Sequence, residues 1–135
     1  MRQRLEALQP VSIVLMRVVL GAILLAHSYS WLFGGMEKLA ATVTALGLPR
    51  WAAPVAAWAE LLAGFLLVIG LAARLGALIS FLHMLLGVWA HRKEGFLGGY
   101  DFPLALATIS FALIFFGAGP LSVDSRTRPA TGRRK

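Results

Sequence analysis

Six ionisable side chains stand inside otherwise apolar stretches or at their mouths: Arg17, His27, Glu60, His83, His91 and Asp101. A charge at the centre of a membrane helix costs roughly 2.5–3.5 kcal/mol on insertion scales, so residues of this kind are functional candidates by default. Arg17 is a permanent cation and Glu60 is the one acid within a span. Taking span midpoints near residues 20 and 61, Arg17 lies about 4–5 Å from the centre and Glu60 close to it. The spacing therefore predicts an Arg17–Glu60 ion pair tying the first span to the second. Such a pair could hold a polar ligand headgroup, and one that only fixed helix register would leave the same trace.

The histidines sort by depth. His83 falls near the middle of its span, His27 about 10 Å toward the outside and His91 about 13 Å. Asp101 opens the last span at that outer level, with Tyr29 and Tyr100 nearby. A histidine beside an acid suits a proton relay, because its ordinary pKa lies near working pH. Together these groups predict an outward-facing polar pocket. Interfacial residues meeting water and headgroups would share the same depth. His27 and His91 could also face a b-type haem, but two histidines without a further motif support that weakly.

Other chemistries are excluded. The chain has no cysteine, which removes disulfides, iron–sulfur ligation, Cys-based zinc sites and thiol chemistry of its own. "GFLGGY" neither follows a strand nor opens onto Lys-Ser/Thr, so it is no phosphate loop. No Ser/His/Asp motif is spaced for nucleophilic catalysis, and no metal site is expected.

The elements that must position these residues are read from composition. Of 135 residues 59% are hydrophobic and only 14% charged, and the mean hydropathy is +0.76. That leaves too few polar residues to coat a water-soluble domain. Four apolar stretches reach the length of about 20 residues that a bilayer needs: 10–31, 51–73, 72–90 and 102–123. They are continuous, not alternating, and rich in Leu and Ala, which predicts helices rather than strands. The expected fold class is all-α, a four-helix membrane bundle over 1–124 followed by a basic tail over 125–135.

The connections are legible too. "GLAARLG" makes a tight hairpin with Gly70 as helix cap, and Arg74 can snorkel to headgroups. "MEKLAATVTAL" places Met36, Leu39, Ala40, Val43 and Leu46 on one face, predicting a short interfacial helix ended by Gly47 and Pro49. "HRKEGFLGGYD" reads as a polar, glycine-rich loop. Gly21, Gly64, Gly70, Gly76 and Gly87 are expected to let helices approach closely. Trp31, Trp51 and Trp89 fall at the outer span ends, where indoles favour the interface.

Charge sets the expected orientation. The net charge is +7, but the bases are not spread as a nucleic-acid surface would need. Arg2, Arg4, Arg74, Arg126, Arg128, Arg133, Arg134 and Lys135 lie on one side, against Lys38, Arg50, Arg92 and Lys93 on the other. The positive-inside rule then places both termini in the cytoplasm, with the tail near anionic headgroups. A cleaved signal peptide fits the basic start, but neither Arg17 within the apolar run nor the length of that run.

These residues resemble those of the DoxX family of small four-helix membrane proteins. The resemblance runs from about Arg17 to Asp124, through "RVVLGAILLAHSY", "AELLAGFLLVIGLAARLGAL", "HMLLGVWAHRKEGFLGGYDFPLALA" and "GAGPLSVD". Departures are Ser28 and Trp31, where the family often has Gly and then Lys after its His, and Asp101, where Glu is common. The resemblance implies a membrane subunit of an oxidoreductase complex in a bacterial-type inner membrane, with a quinone as the possible ligand and a soluble or membrane redox partner. It maps Arg17, His27, Glu60, Arg74, His91 and Asp101 onto the family's polar positions. Two other functions fit the residues. A non-catalytic scaffold would recruit a soluble partner through the basic tail. A small transporter would use the midplane charges, although no inverted repeat is apparent.

Overall fold

The computed structural model describes residues 2–127, and side chains from 8 to 126. The tail bases Arg128, Arg133, Arg134 and Lys135 lie outside the described residues, as do the side chains of Arg2 and Arg4. Six helices follow in order: α1 (Arg2–Ser30), α2 (Met36–Ala45), α3 (Ala52–Ile69), α4 (Ala73–His91), α5 (Asp101–Phe116) and α6 (Val123–Thr127). No strand occurs among the described residues.

Four segments are long and apolar enough to cross a membrane. The chain is thus an all-α, multi-pass membrane protein. α1 and α2 form one apolar run over Leu8–Ala45, bent at Trp31–Gly35, where Phe33 and Gly34 leave helical dihedrals. α1 packs along α3, α4 along α5, and the α3–α4 hairpin joins the two pairs. The outer stripe of α3 shows why lipid is the solvent. Val55, Trp58, Leu62 and Phe65 recur at helical spacing and are each about half exposed. Such a stripe would be costly in water and is neutral in hydrocarbon.

Close backbone approach fixes the α1–α3 register. A Cβ on Gly21 would meet the Gly64 carbonyl oxygen at 2.9 Å, and one on Gly64 would meet the Gly21 oxygen at 2.9 Å. The α3–α4 hairpin closes as expected: Gly70 takes φ 71°, and the N–H groups of Gly70 and Leu71 both reach Leu66 O, at 2.9 and 3.1 Å. The fourth span ends earlier than the apolar stretch. α5 stops at Phe116, because Gly117 (φ 76°) and Gly119 (φ 73°) turn the backbone and Pro120 follows. Residues 117–122 then run as a strap under the bundle into α6.

The core lies toward that end. Leu20, Leu24, Ala63, Leu67, Ala77 and Leu113 are buried together, with one polar bridge, Ser80 Oγ to Ser110 Oγ at 2.8 Å. A second cluster joins Leu39, Ala40 and Val43 of α2 to Ala53 and Ala57 of α3. The predicted α2 face is therefore spent on protein packing.

Candidate functional site

Arg17 does not meet Glu60. Its Nη1 donates to Ala118 O and its Nη2 to Leu121 O at 2.6 Å. The guanidinium also lies against Gly70, where a Cβ would sit 2.7 Å from Nη1. The acid whose charge bears on it is Asp124. Asp124 in turn accepts from the Ala72 and Ala73 N–H groups at 2.8 and 3.0 Å, and its own N–H donates to Gly70 O at 3.1 Å. Ala72 is held at φ 46° in this clasp. Arg17 and Asp124 thus bind the strap to the α3–α4 turn.

The expected ion pair fails for two physical reasons. The Gly21–Gly64 contact sets Arg17 level with Gly70, and Gly70 is ten residues, or about 15 Å, along α3 from Glu60. Side chains on a helix also lean toward its N-terminus. Because α1 and α3 are antiparallel, Arg17 leans toward the turn and Glu60 away from it.

Glu60 faces a different partner. It is 1% exposed, and its Oε2 lies 3.6 Å from His83 Nε2, beyond hydrogen-bond length. The Trp31 indole N–H approaches the same carboxylate, yet Oε2 itself has no hydrogen-bond partner. A buried polar atom left in that state costs about 1–3 kcal/mol, and more if charged. A ligand or water donor at Oε2 would remove the penalty.

Glu60 and His83 form the inner wall of a cavity of about 420 Å³ that opens toward the α2 end. His27 comes from α1, Trp31 from the bend that follows it, Lys38 and Thr42 from α2, His91 from α4, Glu94 from the following turn, and Phe102 from α5. The His27 and Phe102 rings stack at 5.5 Å. His91 Nδ1 lies 2.9 Å from Gly87 O. A carbonyl can only accept, so Nδ1 carries the proton there and Nε2 is left to accept from a ligand when the ring is neutral.

Of the six residues singled out by sequence, His27, Glu60, His83 and His91 line one cavity; Arg17 and Asp101 do not. Tyr29 and Tyr100 are also outside it. Among the described residues, no three His, Cys, Asp or Glu side chains converge on a metal position.

The lining residues that the sequence reading did not place in the site include Trp31, Lys38, Glu94 and Phe102. Lys38 had a signal. Lys38 and Thr42 lie at four-residue spacing beside the apolar face of α2, and both line the cavity. Lys38 brings a cation from α2 to a site whose first helix carries Trp31 in place of the lysine common in the resembled family. Trp51 and Trp89 are exposed at span ends, whereas Trp31 turns inward. Glu94 carries no local signal at all.

A family model, DoxX, matches residues 12–92. The chain is 33% identical over 112 residues to a Bacillus subtilis (strain 168) protein named "Putative oxidoreductase CatD", covering 82% of this chain and 83% of that one. No solved structure matches.

Proposed function

The chain belongs to the DoxX family, and from that premise we propose that it is the membrane subunit of an oxidoreductase complex that holds the ring of a quinone in the Glu60–His83 cavity. One observation carries the reading: a carboxylate oxygen that is buried, without a hydrogen-bond partner, and 3.6 Å from an imidazole nitrogen, on the wall of a cavity of about 420 Å³. That volume falls in the small-molecule range. The oxidoreductase name of the Bacillus relative supports the redox class.

The residues fit a ring with polar oxygens. Glu60 Oε2 would accept from a ring hydroxyl, and His83 would pass or receive the same proton. His91 Nε2 would be free to accept from the ligand. The His27–Phe102 stack supplies a flat wall, and Lys38 and Glu94 sit at the mouth. When bound, a quinone supplies two-electron, two-proton chemistry at its ring oxygens. The electrons would pass to or from a redox centre in a partner subunit. The base count of the whole sequence supports a cytoplasmic α3–α4 turn, with the cavity then on the outer side of a bacterial-type inner membrane. The Arg50–Glu37 ion pair at 2.5 Å neutralises one of the outer bases.

The test is binding in lipid nanodiscs, read by quenching of tryptophan emission as a quinone is titrated in. Saturable binding is expected, and Glu60→Gln should weaken it about tenfold or more. Absence of binding, together with unchanged activity of the native complex carrying Glu60→Gln, would overturn the proposal and favour a scaffold.

A further inference from the structure

We infer that the Glu60–His83 pair exchanges protons and water with one membrane face only, the face at the α2 end, so that any proton released or taken up at this site is delivered to or drawn from that side. The inference does not depend on which ligand the cavity holds.

Three observations carry it. First, the pair lies near the middle of the bundle. Glu60 stands near the centre of α3 (Ala52–Ile69), and His83 faces it from α4. Second, every protonatable side chain around the pair lies on one side. Toward the α2 end, α1 contributes His27, α2 contributes Lys38, α4 contributes His91 and the following turn contributes Glu94, all lining the same cavity; α5 contributes none. Toward the turn, the next ionisable groups among the described residues are Arg17, Arg74 and Asp124.

Third, the space between is closed by apolar packing. The opposite end has its own cavity, about 730 Å³, reaching up to Leu75 and Phe116. On α4 the eight residues from Leu75 to His83 span about 12 Å. That interval is filled by Leu20, Leu24, Ala63, Leu67, Ala77 and Leu113, each no more than 1% exposed. Its one polar bridge, Ser80 to Ser110, is itself closed, since Ser110 Oγ also donates to Leu106 O at 2.8 Å. Apolar packing of this kind excludes water, because a buried water needs two to four polar partners. Arg17 plugs the far side with both Nη groups engaged on strap carbonyls.

The consequence is directional. When an O–H bond of a ligand breaks at Glu60 Oε2, the proton forms a new O–H bond on the carboxyl group. It leaves through His83, His27 and His91 to water at the α2 face. Among the described residues no chain of donors and acceptors leads toward the turn.

The natural lack of cysteine makes the test direct. Single cysteines are placed in the full chain in liposomes, and a membrane-impermeant, cationic thiol reagent is added to one side at a time. Lys93→Cys and Arg126→Cys identify the two faces. Ala56→Cys, and Ala90→Cys as a second cavity position, should react only from the face that labels Lys93→Cys. Ser80→Cys should be at least tenfold slower from either face. Because the thiolate is the reactive form, raising the pH of the α2 face from 7 to 8 should speed cavity labelling roughly eightfold to tenfold. The same change on the opposite face should leave the rate unaltered. Labelling of either cavity position from the Arg126 face, fast labelling of Ser80→Cys, no cavity labelling from either side, or a rate that follows the pH of the opposite face would each overturn the inference.

Discussion

The two ends of this bundle treat buried polar groups in opposite ways. At the turn end Arg17 gives both Nη groups to strap carbonyls, though its buried Nε has no hydrogen-bond partner, and Asp124, Ser122 and Ser125 bond within the protein. At the α2 end Glu60 keeps an oxygen with no hydrogen-bond partner, beside a histidine just too far to bond. Both ends contain an ionisable group that is nearly inaccessible and keeps one atom without a hydrogen-bond partner, so neither burial nor satisfaction alone distinguishes them. Position does: Glu60 lies on a cavity wall, whereas Arg17 does not line the cavity at its own end. A clasp of several charge-assisted hydrogen bonds holds structure together, whereas an open valence beside a cavity is suited to binding.

The comparison breaks most visibly at Arg17. Arg17→Met leaves the Ala118 and Leu121 carbonyls and the Asp124 charge without their cation. Removing one member of a buried charged network costs roughly 3–5 kcal/mol. Thermal or denaturant unfolding in detergent should show that loss, while the fraction that remains folded keeps its ligand affinity. An Arg17→Met protein of unchanged stability would show that the clasp is ornamental.

Glu60→Gln should do the reverse. It removes an acceptor meant for a ligand, so affinity should fall about 10–100-fold, which is about 1.4–2.8 kcal/mol. Stability should stay level or rise, because an uncompensated buried carboxylate is replaced by a neutral amide. A large drop in melting temperature would instead place Glu60 among the structural groups.

Gly21→Ala sharpens the register argument. Its Cβ would press on Gly64 O at 2.9 Å and Val68 Cγ2 at 2.8 Å, and overpacking of this kind costs about 1–3 kcal/mol. Because the contact lies between the two ends, unfolding should register it before ligand binding does. The smallest effect is expected at Asp101→Asn. Asp101 opens α5 but does not line the cavity. Affinity should change by less than about twofold, and stability by about 0.5 kcal/mol at most. A tenfold loss of binding would return Asp101 to the site.

Much of this molecule is legible from local pattern. The four spans, the Gly70 hairpin cap and the α2 face each rest on residues close in sequence. His27 and His91 could be placed together because both lie near span ends of known length. The Arg17–Glu60 pairing could not be judged that way. It took span midpoints as a shared ruler, but α1 slides against α3 according to where Gly21 meets Gly64. Lys38 and Glu94 reach the cavity only because the Trp31–Gly35 bend and the glycine-rich turn before α5 fold them over it.

Hydropathy, glycine positions and the absence of cysteine by themselves determined that this chain is an all-helical membrane protein without thiol chemistry, because those properties act residue by residue. Which acid answers which cation was decided by the tertiary structure alone. Pairing depends on interhelical register and on the direction each side chain leans, and both emerge only when whole helices pack against one another.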